Sequence, residues 1–355
     1  MRSCGVRSMR RREFIHSANE ESTMATDKVR LASIGLGWWG GVLVEALGRS
    51  GSGEVVTGFA RSEDARKAFS EKHGCRTANS LDEVWNDPEV EGVIVATPHS
   101  THLDMITAAA SAGKHVFVEK PLTLTVDEAK KAVEATSAAG VTLQVGHHRR
   151  RQGANRRMRE MIEGGELGVV HQVEANLSLP MGFESRPGWR NDPAECPAGS
   201  MTGLGVHMID NLQYLAGPAK RVAAFSKKLL GKTNLDDATS IIIEYESGPL
   251  GLIGSSFVVP KICDTAAFGT KMRAYSEEEG GKLYVAKVGE EARTEVEVAG
   301  GDALADEMDE FCKCIRGDAT PETGGLEGLE VVAVLEAVVQ SAATGQVVDV
   351  ATLRG

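Results

Sequence analysis

The feature that most constrains this chain is a regular alternation between residues 28 and 146. Short apolar, β-branched runs are each followed by a stretch of helical spacing that stops at a glycine. Residues 29–34 (VRLASI), 54–59, 92–96, 115–118 and 141–145 read as buried strands. Residues 38–47, 62–73, 101–112 and 126–139 read as the helices between them. Parallel strands need a crossover connection, and helices of this length supply it, so the pattern predicts βαβ units and a doubly wound parallel sheet.

The first strand runs directly into Gly35-Leu36-Gly37-Trp38-Trp39-Gly40. Alone, G-x-G-x-x-G is a weak signal. At a strand-to-helix turn it is a dinucleotide fingerprint: one glycine for the tight turn, one for approach of a diphosphate, one for close helix packing. The helix N-terminus then offers free N–H groups to the phosphates. An NAD site usually ends the second strand on Asp or Glu, to hold the ribose 2'-hydroxyl. Here the sequence reads Phe59-Ala60-Arg61-Ser62, with no carboxylate. Arg61 and Ser62 suit a 2'-phosphate, which favours NADP(H), with NAD(H) as the alternative.

The pattern changes near residue 148. A helix is expected over 155–164, an irregular stretch over 179–205, and a helix from 207. Runs at 221–228, 238–245, 251–259, 269–275, 282–287 and 293–298, broken by Gly, Pro, Asn and Asp, read as an antiparallel meander. Helices over 303–315 and 326–344 close the chain. The expected organisation is a disordered extension over residues 1–27, a Rossmann domain over 28–147, and an α+β domain with an open, mostly antiparallel sheet over 148–355. In the extension, Arg10-Arg11-Arg12 superficially matches a twin-arginine export signal, but the polar residues 16–21 lack the apolar stretch such a signal requires.

Composition narrows the partners. The 355 residues carry 39 Lys plus Arg against 50 Asp plus Glu, a formal charge of -11. Such an acidic chain is a poor match for nucleic acid or an anionic membrane surface. No apolar run reaches the roughly 18 residues of a bilayer span. The six cysteines form no C-x-x-C pair and none stands at zinc spacing with histidine, so no metal site is expected. They read as reduced thiols in a cytoplasmic, reducing compartment.

The run Gly113-Lys114-His115-Val116-Phe117-Val118-Glu119-Lys120-Pro121 resembles the signature of the Gfo/Idh/MocA oxidoreductases. The resemblance continues in Ala96-Thr97-Pro98-His99-Ser100-Thr101-His102, in Trp189-Arg190, and in Gly205-Val206-His207-Met208-Ile209-Asp210. It spans roughly residues 28–350. It implies hydride transfer between a nicotinamide and a secondary alcohol or ketone of a sugar, cyclitol or related polyol. It also implies a homodimer or homotetramer formed through the outer face of the second sheet. Lys120 is then the proton relay and His207 the general acid/base. Trp38, Trp39, Thr97, Pro98, His99, His102, Glu119 and Lys120 are expected at the cofactor. Lys120, His147, Trp189, Arg190, His207 and Asp210 are expected at the substrate.

Burial would bring a lysine amine toward neutrality, where it can accept a proton. Asp210, one helical turn after His207, is expected either to orient its ring or to pair elsewhere. One departure stands out. The family often carries Asp four residues before this histidine, and here that position is Gly203. His147 and His148 are candidate substitutes. The departure also keeps two other readings open: a redox-neutral lyase or hydrolase using transient oxidation, and a non-catalytic dinucleotide-responsive regulator. Arg149-Arg150-Arg151, with Arg156, Arg157 and Arg159, reads as a solvated helix face with interdomain ion pairs, ahead of an anionic-substrate site.

Overall fold

A computed structural model describes Met1 and residues 28–184, 188–230 and 232–355. The rest of the extension expected over 1–27, and Arg186, lie outside the described residues.

The alternating apolar runs form a six-stranded sheet: β1 (Val29–Ile34), β2 (Gly53–Phe59), β3 (Arg76–Thr77), β4 (Gly92–Val95), β5 (His115–Glu119) and β6 (Leu143–Gly146). All pairs are parallel and the order is β3–β2–β1–β4–β5–β6. Every residue of β4 is buried, as a strand covered on both faces must be. The connecting helices are α1 (Trp38–Ser50), α2 (Glu63–His73), α3 (Leu81–Trp85), α4 (His102–Ser111) and α5 (Val126–Ala139). Neither β3 nor α3 is expected from the sequence. Each is too short for its own hydrophobic period to register.

The second sheet has nine strands. They are β7 (Val170–Ser178), β8 (Ala219–Lys227), β9 (Ala238–Tyr245), β10 (Leu250–Ser256), β11 (Ile262–Gly269), β12 (Met272–Glu277), β13 (Lys282–Lys287), β14 (Thr294–Val296) and β15 (Val348–Asp349). Their order, β14–β13–β12–β11–β7–β10–β9–β8–β15, is not a simple meander. Strand β7 sits between β11 and β10 and runs parallel to β10. It has no counterpart in the expected elements, because its alternate positions are Gln172, Glu174 and Asn176. Only Val173, Ala175 and Leu177 face the core.

Among the described residues five more α-helices follow: α6 (Gly153–Glu163), α7 (Val206–Ala216), α8 (Ala303–Arg316), α9 (Gly325–Thr344) and the short α10 (Ala351–Arg354). Two of them bind the halves together. Helix α8 packs on α1 and buries Met308, Phe311 and Cys312 beside Val29, Leu31 and Phe117 of the first sheet. Burying Phe311 alone contributes about 2–3 kcal/mol. Helix α9 lies between α5 and β8, so one continuous core spans both sheets. The sequence after residue 302 therefore serves the first sheet as well as the second.

Candidate active site

The loops that leave β1, β4, β5 and β6 gather at one edge of the first sheet. This carboxyl edge is where open parallel sheets bind ligands. Gly35 follows β1 at φ +96°, and a Cβ there would stand 2.5 Å from the Ala96 carbonyl oxygen. A Cβ on Gly40 would stand 2.2 Å from the Gly35 carbonyl oxygen, so α1 can approach β1 only without one. Gly37 differs: nothing lies within 4 Å of its Cβ position. It is the N-cap of α1, makes no side-chain cap, and the first turn carries no acidic residue. The helix thus presents unpaired N–H groups to open space, a cradle that fits a diphosphate. Trp38 is exposed beside it, and its ring lies 5.3 Å from that of half-buried Trp39.

At the end of β2, Arg61 and Ser62 are exposed. Ser62 accepts from Ala65 N at 3.3 Å and caps α2, while Arg66 donates to the carbonyls of Ala60 and Arg61 and braces the turn. Arg66 is a second cation at this strand end that sequence reading passed over. Its only sequence signal is its place one turn into the helix.

A cleft of about 470 Å³ opens from the glycine turn toward the second sheet. Trp38, Trp39, Thr97, His99, Glu119, Lys120, Trp189, Arg190 and His207 line it, so nine of the expected residues meet there. Pro98 is half-buried and opens the short turn that carries His99. The His99 ring is 4.7 Å from Trp189, over which the Arg190 guanidinium stacks at 4.1 Å. Glu195 fastens this wall: its backbone oxygen is 2.7 Å from His99 Nδ1, and its carboxylate accepts from Ser100 N and Oγ at 3.0 and 2.5 Å.

Lys120 leads out of β5 through a cis bond to Pro121. Its Nζ donates to the Gly203 carbonyl oxygen at 3.1 Å. Burial lowers its pKa; neighbouring Glu119 opposes this and Arg190 reinforces it. Gly203 lies in a single π-helical turn, Met201–Gly205, that feeds α7 and sets His207 on the cleft. Such turns recur at functional sites because they re-aim side chains without ending the helix. His207 is held well below the ordinary histidine value, first by burial and then by the charge of Lys120, so its imidazole is neutral at neutral pH. Its Nδ1 is buried without a hydrogen-bond partner.

Three expected site residues are placed elsewhere. Asp210 is 1 % exposed and does not touch the cleft. It accepts from Arg150 Nε at 3.0 Å and Nη2 at 2.5 Å, so it pairs across the interior and leaves the His207 ring alone. His147 is fully buried behind the cleft, its ring 6.2 Å from that of His207. His102 is fully buried, with Nδ1 2.9 Å from the Pro121 carbonyl and Nε2 3.3 Å from that of Thr97. It ties together two loops of the site and does not line the cleft.

The arginine cluster is mostly structural: Arg150 on Asp210, Arg151 on Glu310 and Glu322, Arg156 on Glu322. Arg149 also reaches the cleft. Burial raises the Asp210 carboxyl, but the Arg150 guanidinium more than offsets it and leaves it below its ordinary value. Asp210→Ala leaves the buried Arg150 guanidinium without its carboxylate partner, with an expected loss of about 3–5 kcal/mol. A fall in Tm of roughly 5 °C or more checks it. Because the folded carboxyl is depressed, this stabilisation is present above pH ~4 and is lost as pH falls through the folded value.

The other half of the histidine pair takes the place expected of His147. His148 lines the cleft, its ring 5.2 Å from His207 and 6.0 Å from Trp39. Leu177, Leu179, Met181, Cys196, Leu204 and Phe257 line it as well, none singled out by sequence reading. They come from loops and strands far apart along the chain, and apolar residues in such runs carry no local mark of facing a site.

Comparison with known proteins places this architecture. Residues 29–147 match the family model described as "Oxidoreductase family, NAD-binding Rossmann fold", and residues 155–275 match the "GFO/IDH/MocA C-terminal domain". The chain is similar to 1,5-anhydro-D-fructose reductase of Ensifer adhaerens, 29% identical over 86% of this chain and 93% of the relative. It is 30% identical to the rhizopine catabolism protein MocA of Rhizobium meliloti over 68% of this chain and 76% of the relative. A crystal structure from Desulfitobacterium hafniense DCB-2, assigned as an NADPH-dependent oxidoreductase, superposes with a TM-score of 0.88 at 31% identity. That likeness covers 93% of this chain and all of the other. With both halves matched in order, the chain belongs to the Gfo/Idh/MocA family of oxidoreductases.

Proposed function

We propose that this protein is an NAD(P)-dependent oxidoreductase acting on a secondary alcohol or ketone of a sugar, cyclitol or related polyol. The observation that carries the reading is the meeting of Lys120, His207 and the uncapped start of α1 around one cleft. A bound nicotinamide supplies the hydride acceptor or donor. The chain's own residues do the rest. Gly37 and the N–H groups after it hold the diphosphate. In the oxidising direction, Lys120 Nζ accepts the hydroxyl proton, its direction set by the Gly203 carbonyl. Neutral His207 serves the same reacting oxygen as general acid/base. Trp189 offers an apolar platform to the sugar ring and Arg190 binds its hydroxyls. Titration of NADPH and NADH by fluorescence, followed by a polyol and keto-sugar screen, tests this. Absence of dinucleotide binding overturns it.

NADP(H) is the preferred cofactor in this reading. The end of β2 carries Arg61, with Arg66 one turn on, and no carboxylate faces the ribose from the strand end. Arg61→Asp is expected to weaken NADPH on the order of tenfold or more and to change NADH far less. Equal losses would remove the argument.

The protein self-associates in this reading through the open face of the second sheet. Phe225, Ile242 and Leu252 stand exposed there, around a groove of about 650 Å³ that Tyr275 also lines. Exposed apolar area of this kind marks an interaction surface. Ile242→Lys is expected to convert a dimer or tetramer to monomers in sedimentation, with cofactor affinity retained. A cytoplasmic setting is supported by five buried, unpaired cysteines: Cys75, Cys196, Cys263, Cys312 and Cys314. Among the described residues no helix is long and apolar enough to cross a membrane.

A further inference from the structure

Gly203 stands between the amine and an aromatic ring. Its carbonyl accepts from Lys120 Nζ at 3.1 Å, and a Cβ on it would lie 2.9 Å from Phe257 Cζ and 3.3 Å from Cε1. The ring of Phe257, only 5 % exposed, thus fills the volume that any side chain at position 203 would enter. A carboxylate there could enter only if the Phe257 ring shifted. Leu177, Leu179, Met181 and Leu204 join Phe257 on the cleft wall, and none of them offers a donor or acceptor from its side chain.

We infer that Gly203 and Phe257 set the substrate class. This enzyme selects a ring that lacks a free hydroxyl, or carries it capped as an ether, on the carbon next to the reacting one. The physical reason is desolvation. A hydroxyl pressed against this wall loses its water and gains no partner, which is costly. An ether or a methylene loses nothing and buries apolar surface. The reacting oxygen is served by Lys120 and His207. The neighbouring position, where a carboxylate at 203 would take a hydroxyl, meets phenyl and leucine side chains. The inference rests on the oxidoreductase reading above and narrows it.

The test compares matched pairs: D-glucose against its 2-deoxy, 4-deoxy and 3-O-methyl derivatives, and myo-inositol against its mono-O-methyl ethers. Both kcat/KM with the preferred cofactor and the Kd for the ternary complex, read by NADPH fluorescence, are measured. At least one deoxy or O-methyl member is expected to exceed its parent polyol by about tenfold or more in both quantities. In the double variant G203D/F257A, where the ring no longer blocks the new side chain, the preference is expected to turn toward the polyol by a similar factor. Thermal melting and cofactor Kd confirm that the double variant is folded. Parent polyols binding and reacting as well as their derivatives in the wild type would overturn the inference while the oxidoreductase reading stands. An unchanged preference in a folded double variant would overturn it too. Selective binding of the derivatives without turnover would support the inference and remove the catalytic reading instead.

Discussion

Lys120→Ala is expected to lower turnover by about a hundredfold or more, while NADPH affinity stays within about twofold of the parent enzyme. Lys120 sits at the carboxyl end of β5, half-buried, with Nζ aimed across the cleft at the Gly203 carbonyl. In the proposed reaction its amine accepts the proton that the alcohol must lose as hydride leaves. Water in the space left by alanine lacks both the basicity and the fixed position. Burial lowers the Lys120 pKa, so in alcohol oxidation the rise of kcat/KM with pH is expected below the ordinary lysine range. Lys120→Arg separates proton transfer from mere positive charge. A guanidinium keeps the charge but does not give up its proton, so it is expected not to restore the rate. Near-normal turnover in Lys120→Ala would falsify the role assigned to this amine.

Gly37→Glu is expected to abolish dinucleotide binding, with a loss on the order of a hundredfold or more, and to leave the fold intact. Two observations set the sign of each effect. The backbone at Gly37 has φ -78°, open to any residue, and its Cβ position meets nothing within 4 Å. A carboxylate at a helix N-terminus is, if anything, mildly stabilising. Yet it stands where the diphosphate must approach, repels it, and competes for the same N–H groups, each charge-assisted bond being worth about 1.5–3 kcal/mol. Fluorescence titration with NADPH measures the loss, and thermal melting shows Tm unchanged or slightly raised. By contrast, Gly40→Ala forces a Cβ to 2.2 Å from the Gly35 carbonyl oxygen, so it is expected to lower Tm and affinity together. Unaltered NADPH affinity in Gly37→Glu would mean that the phosphates bind elsewhere.

The first sheet was legible because its signals are local. Buried parallel strands are continuous apolar runs, and a glycine after a helix marks its end, as Gly74 and Gly140 do in left-handed conformations; α1 instead runs through Gly48, where the sequence reading stopped it, and ends at Gly51. The second sheet was only partly legible. Strand β7 carries polar residues at alternate positions, and its parallel pairing with β10 joins segments about eighty residues apart. The site divided in the same way. Lys120 and His207 lie in recognisable runs, and the structure brings both to one cleft. Asp210 and His102 also lie in such runs, yet they and His147 serve the interior, because a shift of one or three residues along a turn or helix points a side chain elsewhere.

From its own amino acids the chain determined the doubly wound first sheet, the phosphate cradle at Gly35–Gly40, and the two residue types suited to proton transfer. Each follows from periodicity, from φ and Cβ sterics, or from side-chain chemistry within a dozen residues. Tertiary structure alone decided that His148 and not His147 faces the cleft, and that Asp210 spends its charge on Arg150. It alone decided that the Gly203 carbonyl meets Lys120 while Phe257 closes the space beside it. Those contacts join positions some fifty to eighty residues apart, or turn on a single residue's direction, and only the packing of two sheets around one shared core fixes which atoms meet.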